Sequence, residues 1–171
     1  MIVLIAGLPG TGKTTIAIEL AAQAGGVVLS KDAIRAALFP PEDIEYSTGQ
    51  DDFCMEVMLE TAAYLLRKDS GRFVFLDGRT FSRRYQVDRV LDRATQLNQP
   101  WRILECVCSD ATAKQRLQAQ QASGDHVAGN RDYALYLRVK ARFEEITLPK
   151  TVIDTDQAIH VCVSRALIAL R

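Results

Sequence analysis

A glycine-rich segment near the start of the chain has the composition of a phosphate-binding loop. Residues 7–14 read Gly-Leu-Pro-Gly-Thr-Gly-Lys-Thr and fit the spacing G-x-x-x-x-G-K-[ST]. In such a loop, backbone N–H groups surround a polyphosphate, glycines allow its close approach, and the lysine reaches the β- and γ-phosphates. We predict that the loop and the residue after it bind a nucleoside triphosphate through Gly7, Leu8, Pro9, Gly10, Thr11, Gly12, Lys13, Thr14 and Thr15.

Two oxygen-bearing side chains are predicted to hold Mg²⁺ beside this loop. Mg²⁺ keeps several waters and takes one or two protein oxygens, and the Thr14 hydroxyl can supply one of them. Asp77 can supply a second, because it follows the apolar run 73–76, whose carboxyl end faces the ligand edge of a parallel sheet. The alternative interpretation of Asp77 is a helix-capping or turn residue.

A carboxylate and a guanidinium three residues apart form a second candidate constellation. Asp32 and Arg35 belong to the segment Ser-Lys-Asp-Ala-Ile-Arg, residues 30–35, and share one face of the helix predicted there. Asp32 can orient a hydroxyl group or accept its proton, and Arg35 can hold an anionic part of the same acceptor molecule. A helix-terminal carboxylate in a surface ion pair is the alternative.

Three arginines lie around the start of the helix that we predict to follow Ser82. Cations in the first turn oppose the helix dipole by a few tenths of a kcal/mol each, so a nearby anion is expected. We predict that Arg79 and Arg83 contact a phosphate or carboxylate of the acceptor. The alternative is a solvated face on which Arg84 pairs with Asp88.

The elements that must position these residues alternate regularly along the chain. Short apolar runs separated by amphipathic segments predict an α/β fold: a five-stranded parallel sheet with helices on both faces, in three layers. We expect one domain, residues 1–171, with a polar loop at 41–50. The predicted strands are 2–6, 27–29, 73–76, 101–107 and 151–153, and the predicted helices are 14–24, 31–38, 51–68, 82–97, 110–121, 132–145 and one from residue 156 onward.

The composition excludes several classes of protein. Hydrophobic residues make up 48% and charged residues 25% of the chain, with 21 basic and 21 acidic side chains, which argues against disorder and against a general nucleic-acid or membrane-surface binder. No apolar run is long enough to span a membrane, and no signal peptide precedes the first strand, so we expect a cytoplasmic protein. The four cysteines lack zinc-site spacing and are expected to be reduced and mostly buried.

These motifs together resemble the small P-loop kinases, which include polynucleotide 5′-hydroxyl kinases, zeta-toxin-type kinases, chloramphenicol phosphotransferase and gluconate kinases. The resemblance covers nearly the whole chain and also includes Arg116 and the late segment Val-Ile-Asp-Thr at 152–155. It implies a P-loop NTPase fold and Mg²⁺-dependent phosphotransfer from ATP to an alcohol. Lys13 and Thr14 would contact the nucleotide, Asp32 would be the general base, and Arg116 would lie in or beside a lid, at about 116–131, over the phosphates.

The chain departs from polynucleotide kinases at two places. Gln120 stands where those enzymes carry a second lid arginine, and we predict that Arg131 replaces it, the alternative being an exposed loop arginine. Gly78-Arg79-Thr80 stands where they typically have Thr-Asn after the strand aspartate. Both departures, with the zero net charge, favour a small-molecule hydroxyl acceptor over a nucleic acid.

The chain lacks the sequence features of two other classes of P-loop protein. There is no N-K-x-D guanine-reading motif, and 171 residues cannot hold the helical subdomain of an AAA+ motor as well as the core. A nucleotide-binding regulatory ATPase without an acceptor and a nucleic-acid 5′-hydroxyl kinase remain as alternatives to a small-molecule kinase. The sequence specifies neither the acceptor nor the oligomeric state.

Overall fold

The computed structural model describes residues 1–123 and 132–171 of the chain. Within them, the strands form one parallel sheet in the order β2-β3-β1-β4-β5. The predicted sheet is therefore confirmed, and each strand lies within one residue of its predicted bounds. The strands are β1 Ile2–Ala6, β2 Val27–Ser30, β3 Val74–Asp77, β4 Trp101–Val107 and β5 Thr151–Asp154.

The helices differ from the predicted ones mainly at their ends. The predicted loop 41–50 contains a 3₁₀ turn, Pro41–Asp43, and the first residues of α3, because the Ser47 hydroxyl accepts a hydrogen bond from the Gln50 amide at 3.1 Å and caps the helix early. The helices are α1 Lys13–Ala24, α2 Lys31–Leu38, α3 Thr48–Lys68, α4 Arg84–Gln96, α5 Asp110–Ser123, α6 Tyr133–Ala141 and α7 Ile159–Ala169.

Two predicted helix boundaries are wrong for a shared reason. The cap of α4 is Arg83 rather than Ser82, and α6 ends at Ala141 rather than Glu145. The carbonyl of Ser82 accepts a hydrogen bond from the amide of Glu144 at 3.0 Å. Because this contact joins the segment before α4 to the segment after α6, both residues are held outside helical geometry.

The sheet is covered on both faces by helices, as the continuous apolar runs predict. The side chains of β1 alternate between two cores: Ile2 and Leu4 pack with residues of α3 and α4, whereas Val3 and Ile5 pack with residues of α1 and α7. All of them are fully buried. This arrangement leaves the carboxyl ends of the strands, where β1 and β3 emerge side by side, as the place where polar loops meet.

The predicted burial of the thiols is confirmed for three of the four cysteines. Cys54, Cys106 and Cys162 are buried and Cys108 is half-buried. Burial raises the pKa of Cys106 to about 12, so this thiol stays protonated at neutral pH. None of the described helices combines the length and the apolar character that a bilayer span requires.

Replacing Leu4 with alanine tests the central position of β1. Because Leu4 is fully buried between α3 and α4, Leu4→Ala should lower the free energy of unfolding by about 2–5 kcal/mol. The matched control is Ile18→Ala on α1, where the side chain is 55% exposed and the change should stay within about 0.5 kcal/mol. Urea unfolding measures both variants, and equal effects would contradict the assigned core.

Candidate active site at the carboxyl edge of the sheet

The glycine-rich loop connects β1 directly to α1 and has a backbone that only glycine accommodates. Gly7 has φ +136°, and a Cβ at this position would lie 2.3 Å from the carbonyl oxygen of Cys106 on β4. Gly12 caps α1 in the left-handed conformation, with φ +78° and ψ 14°, and has no side chain that could occupy the helix N-terminus. The first amides of α1 therefore remain available to an anion.

Lys13 is buried beside this loop rather than extended into solvent. Its Nζ donates a hydrogen bond to the carbonyl oxygen of Leu8 at 2.7 Å. The ammonium group is therefore held over the loop.

The two predicted metal ligands are in direct contact. The Thr14 hydroxyl donates to Asp77 Oδ2 at 2.8 Å, and Asp77 is only 1% exposed. The other carboxylate oxygen, Oδ1, is buried and has no hydrogen-bond partner among the described residues. A buried carboxylate with one unsatisfied oxygen beside a threonine hydroxyl is the hard-oxygen environment that Mg²⁺ prefers, so these residues fit the ion.

Arg116 lies on α5 beside the phosphate-binding loop. We call the side of the loop that faces Arg116 its outer side and the opposite side its inner side. Its guanidinium donates to the carbonyl oxygen of Thr155 at 2.7 Å and to the Thr155 hydroxyl at 3.0 Å, and it reaches the Gly10 carbonyl at 3.5 Å. Thr155 in turn donates to the carbonyl oxygen of Thr11 at 3.1 Å. The structure thus places Arg116 beside the phosphate-binding loop, and it reveals Thr155 as the residue that ties α5 to that loop.

A cavity of about 660 Å³ runs along this outer side of the loop. It is lined by Gly12, Thr15, Arg116, Gln120 and Gln157, among other residues. Its volume lies within the roughly 300–1,000 Å³ that small-molecule sites occupy.

A second, smaller cavity lies on the inner side of the loop, and we call it the polar cavity. It has a volume of about 160 Å³ and is lined by Lys13 from the loop, by α2, by the segment after β3 and by α6. The charged side chains that line it are Lys13, Lys31, Asp32, Arg35, Asp51, Arg79 and Arg142.

Asp32 and Arg35 meet at the wall of the polar cavity. Ser30 caps α2, and Arg35 Nη1 donates to Asp32 Oδ1 at 3.0 Å. The ion pair of the alternative interpretation is therefore present, but it is not a surface pair, because Arg35 is 2% and Asp32 5% exposed. Lys31 Nζ lies 3.3 Å from the same Asp32 oxygen.

Two carboxylates that sequence analysis did not single out hold the cationic side chains in place. Asp51 forms ion pairs with Lys31, at 2.6 Å, and with Arg35, and Asp52 forms one with Arg79, at 2.6 Å. Both lie in the first turns of α3. From sequence alone, acidic residues there are explained by the helix dipole. Only the packing of α3 on α2 and beside the segment after β3 reveals their partners.

The structure separates the arginines that were predicted together. Arg79 is 4% exposed and lines the polar cavity, whereas Arg83 is half-exposed and pairs with Glu144 at 2.7 Å, outside that cavity. Arg84 pairs with Asp88 at 3.5 Å, as the alternative interpretation expected. The anion that the dipole argument required at this helix start is Glu144, whose pKa is lowered by the Arg84 amide and the Arg83 guanidinium.

Helix α6 forms one side of the polar cavity. Leu135 and Val139 contribute to its lining, and the helix is held to α5 by Asp110, which accepts hydrogen bonds from Tyr136 Oη and Lys140 Nζ at 2.6 Å each. Of the predicted lid, residues 116–123 belong to α5, and the remainder, including Arg131, lies outside the described residues.

Comparisons with known proteins agree with this geometry. A family model, AAA_33, described as an AAA domain, matches residues 2–146. A candidate kinase from Chloroflexus aurantiacus is 22% identical over 99% of this chain and 98% of its own, with a TM-score of 0.75. A gluconokinase from Sinorhizobium meliloti 1021 is 18% identical over 99% of this chain and 90% of its own, with a TM-score of 0.70. No curated protein gives a significant match.

A third similar structure was solved with ligands. The APS kinase CysC from Mycobacterium tuberculosis, in complex with AMPPNP and APS, is 17% identical over 99% of this chain and 96% of its own, with a TM-score of 0.72. At these identities the likeness is one of fold. The predicted resemblance to small P-loop kinases is confirmed at that level.

Removing the Thr14 hydroxyl tests the metal site. Thr14→Val should raise the Mg²⁺ concentration needed for half-maximal binding of a fluorescent ATP analogue by roughly tenfold or more, because one oxygen ligand is lost. Thr14→Ser keeps the hydroxyl and should bind like the wild type. An unchanged Mg²⁺ dependence in Thr14→Val would remove Thr14 from the metal site.

Replacing Asp110 tests how α6 is held over the polar cavity. Hydrogen bonds from Lys140 and Tyr136 lower the pKa of Asp110, so its contribution is complete at neutral pH and is lost only as the pH falls through that lowered pKa. Asp110→Asn should therefore speed hydrogen exchange of the amides of α6 at pH 7, and exchange in α3 should not change. The control is Asp88→Asn, which removes an exposed ion pair within α4, and equal exchange in both variants would contradict the anchor.

Proposed function

The chain belongs to the AAA_33 family, and from that premise we propose that it is a kinase that transfers the γ-phosphoryl group of ATP to a hydroxyl group of a small-molecule acceptor. One observation carries the proposal: Lys13 of the phosphate-binding loop and Asp32 line the same cavity. A nucleotide phosphate held by the loop would therefore face a carboxylate across a space that an acceptor can occupy. We propose a single kinase domain over residues 1–171, with the lid at about 116–131.

The nucleotide would lie along the outer side of the loop. The cavity of about 660 Å³ beside Gly12 and Arg116 offers room for the base and ribose, and the loop amides and Lys13 would hold the phosphates. Thr14 and Asp77 would hold Mg²⁺, which when bound offsets phosphate charge. Arg116 and, by resemblance, Arg131 are proposed to add positive charge near the transferring group.

The acceptor would occupy the polar cavity. Asp32 would orient its hydroxyl group and accept the proton as the acceptor oxygen forms a bond to the γ-phosphorus and the bond from that phosphorus to the β–γ bridging oxygen breaks, which releases ADP. Lys31 and Arg35 hold Asp32 in place through contacts at 3.3 and 3.0 Å. Catalysis would rest mainly on such positioning and on charge stabilisation.

The two alternatives explain less of this site. A regulatory ATPase without an acceptor gives no role to the buried charges of the polar cavity. A nucleic-acid 5′-hydroxyl kinase would need a strand to reach a cavity of about 160 Å³ that α6 covers, on a chain whose formal net charge is zero.

An ATP-consumption screen tests the proposed activity. Purified protein with Mg·ATP is incubated with a library of alcohols and 5′-hydroxyl oligonucleotides, and Lys13→Ala serves as the blank because it removes the phosphate-binding ammonium. At least one small alcohol should accelerate ADP release above that blank. Slow hydrolysis that no alcohol changes would support the regulatory alternative, and acceleration by oligonucleotides alone would support the nucleic-acid kinase.

The carboxylate of Asp32 gives the sharper mutational test. Asp32→Asn should lower turnover by about 10²–10⁴-fold and leave the affinity for ATP nearly unchanged, because Asp32 lies on the acceptor side of the loop. Asp88→Asn, on the exposed face of α4, is the matched control and should retain full turnover. Equal loss of turnover and of ATP affinity in Asp32→Asn would exclude the role of general base.

A further inference from the structure

The charges that line the polar cavity do not cancel. Five cationic side chains and two carboxylates line it among the described residues. If Lys13 is assigned to the nucleotide and Asp52 is counted against Arg79, one positive charge remains, with the exposed Arg142 among the four cations counted. A cavity with an uncompensated positive charge favours a ligand that carries negative charge.

Two of the three arginines that line the cavity, Arg35 and Arg79, are buried with incomplete hydrogen bonding, and the third, Arg142, is exposed. Arg35 is 2% and Arg79 4% exposed, and the Nε–H of each meets no acceptor among the described residues. A guanidinium has five N–H donors, and burying it without a full set of partners costs free energy. An anion in the cavity would offset that cost, because the carboxylates of the protein satisfy each arginine only in part.

Both guanidinium groups are held in fixed positions before any ligand arrives. Asp51 bridges Arg35 and Lys31, Asp52 holds Arg79 at 2.6 Å, and the Tyr46 ring lies 5.1 Å from the Arg35 guanidinium carbon. A planar guanidinium that is already oriented loses little entropy when it binds a carboxylate or phosphate. These buried, oriented guanidinium groups are therefore suited to bind an anion, unlike arginines that are free to move on the surface.

The size of the cavity limits what the anion can be attached to. Its volume of about 160 Å³ is roughly half of the 300 Å³ at which drug-sized sites begin. Leu135 and Val139 of α6 supply apolar contacts to its lining. A molecule of a few carbon atoms fits this space.

We propose that the acceptor is a compact hydroxy compound that carries a carboxylate, phosphate or sulfate group, and that Arg35 and Arg79 bind this group while Asp32 faces the hydroxyl. This inference rests on the proposed function, because it takes the molecule that binds in the polar cavity to be the phosphoryl acceptor. It adds that the second substrate is compact and anionic, and it retains Arg79, which the sequence predicted to contact such a group, as a specificity residue.

Binding to the nucleotide-loaded protein tests the inference directly. Saturating Mg·AMPPNP occupies the phosphate-binding loop, so that an added anion cannot bind there. Calorimetry then compares glycerate, glycerol 3-phosphate and inorganic sulfate with glycerol. We expect at least one anion to bind about tenfold or more tightly than glycerol, and the relative affinities of glycerate and glycerol 3-phosphate to distinguish carboxylate from phosphate.

A matched pair of arginine variants locates the binding. Arg79→Gln should weaken binding of the anion by about tenfold or more, whereas Arg83→Gln, four residues away and paired with Glu144 outside the cavity, should bind like the wild type. Thermal unfolding of both variants checks their folding. Should Arg79→Gln fail to fold, the comparison of anions with glycerol on the wild-type protein decides the question alone.

The possible results distinguish the anion site from the proposed phosphotransferase activity. Glycerol binding as tightly as the anions, no anion binding at all, or anion binding that Arg83→Gln weakens and Arg79→Gln does not would overturn the inference. Anion binding without ATP consumption above the Lys13→Ala blank would leave the anion site standing and overturn the phosphotransferase. Phosphorylation of neutral alcohols alone would support the phosphotransferase and overturn the anion site.

Discussion

The hydrogen bond between the Thr14 hydroxyl and the buried carboxylate of Asp77 holds the two halves of the site in register. Parallel pairing of β1 with β3 brings the end of one strand beside the end of the other, and this contact then joins the phosphate-binding loop to the segment after β3. Gly78 follows in the left-handed conformation, φ +92°, and a Cβ there would lie 3.1 Å from the Lys31 amide nitrogen. The start of α2, and with it Asp32, can therefore approach the loop closely.

Near this contact lie buried ion pairs that contribute little to the free energy of unfolding. Ion pairs removed from water gain roughly what their desolvation costs, so the cluster of Lys31, Asp32, Arg35 and Asp51 is poor evidence for a stable fold. The stability lies instead in the two apolar cores on either side of the sheet. The cluster provides a rigid set of oriented donors and acceptors, which is what the proposed acceptor binding and phosphoryl transfer both require.

The parts of the site that depend on local sequence could be predicted, and those that depend on distant contacts could not. The loop after β1, the carboxylate at the end of β3 and the sheet itself follow from residues adjacent in the chain. Asp51 and Glu144 do not, because Asp51 finds Arg35 16 residues earlier and Glu144 finds Arg83 61 residues earlier. The dipole argument for Arg83 led to a predicted contact with an anion of the acceptor, whereas in the structure Arg83 pairs with Glu144 of the protein itself.

The cover of the polar cavity is built differently from its walls. The walls belong to the loops at the carboxyl edge of the sheet and to helices α1, α2, α3 and α4, whereas α6 contacts α5 through a small cluster of Ala113, Leu117 and Tyr136 and through the exposed pair of Lys140 with Asp110. Elements with few buried apolar contacts open at lower free energy than core elements. Leu8 of the glycine-rich loop packs against the same cluster, so a movement of α6 would also change the contacts of that loop.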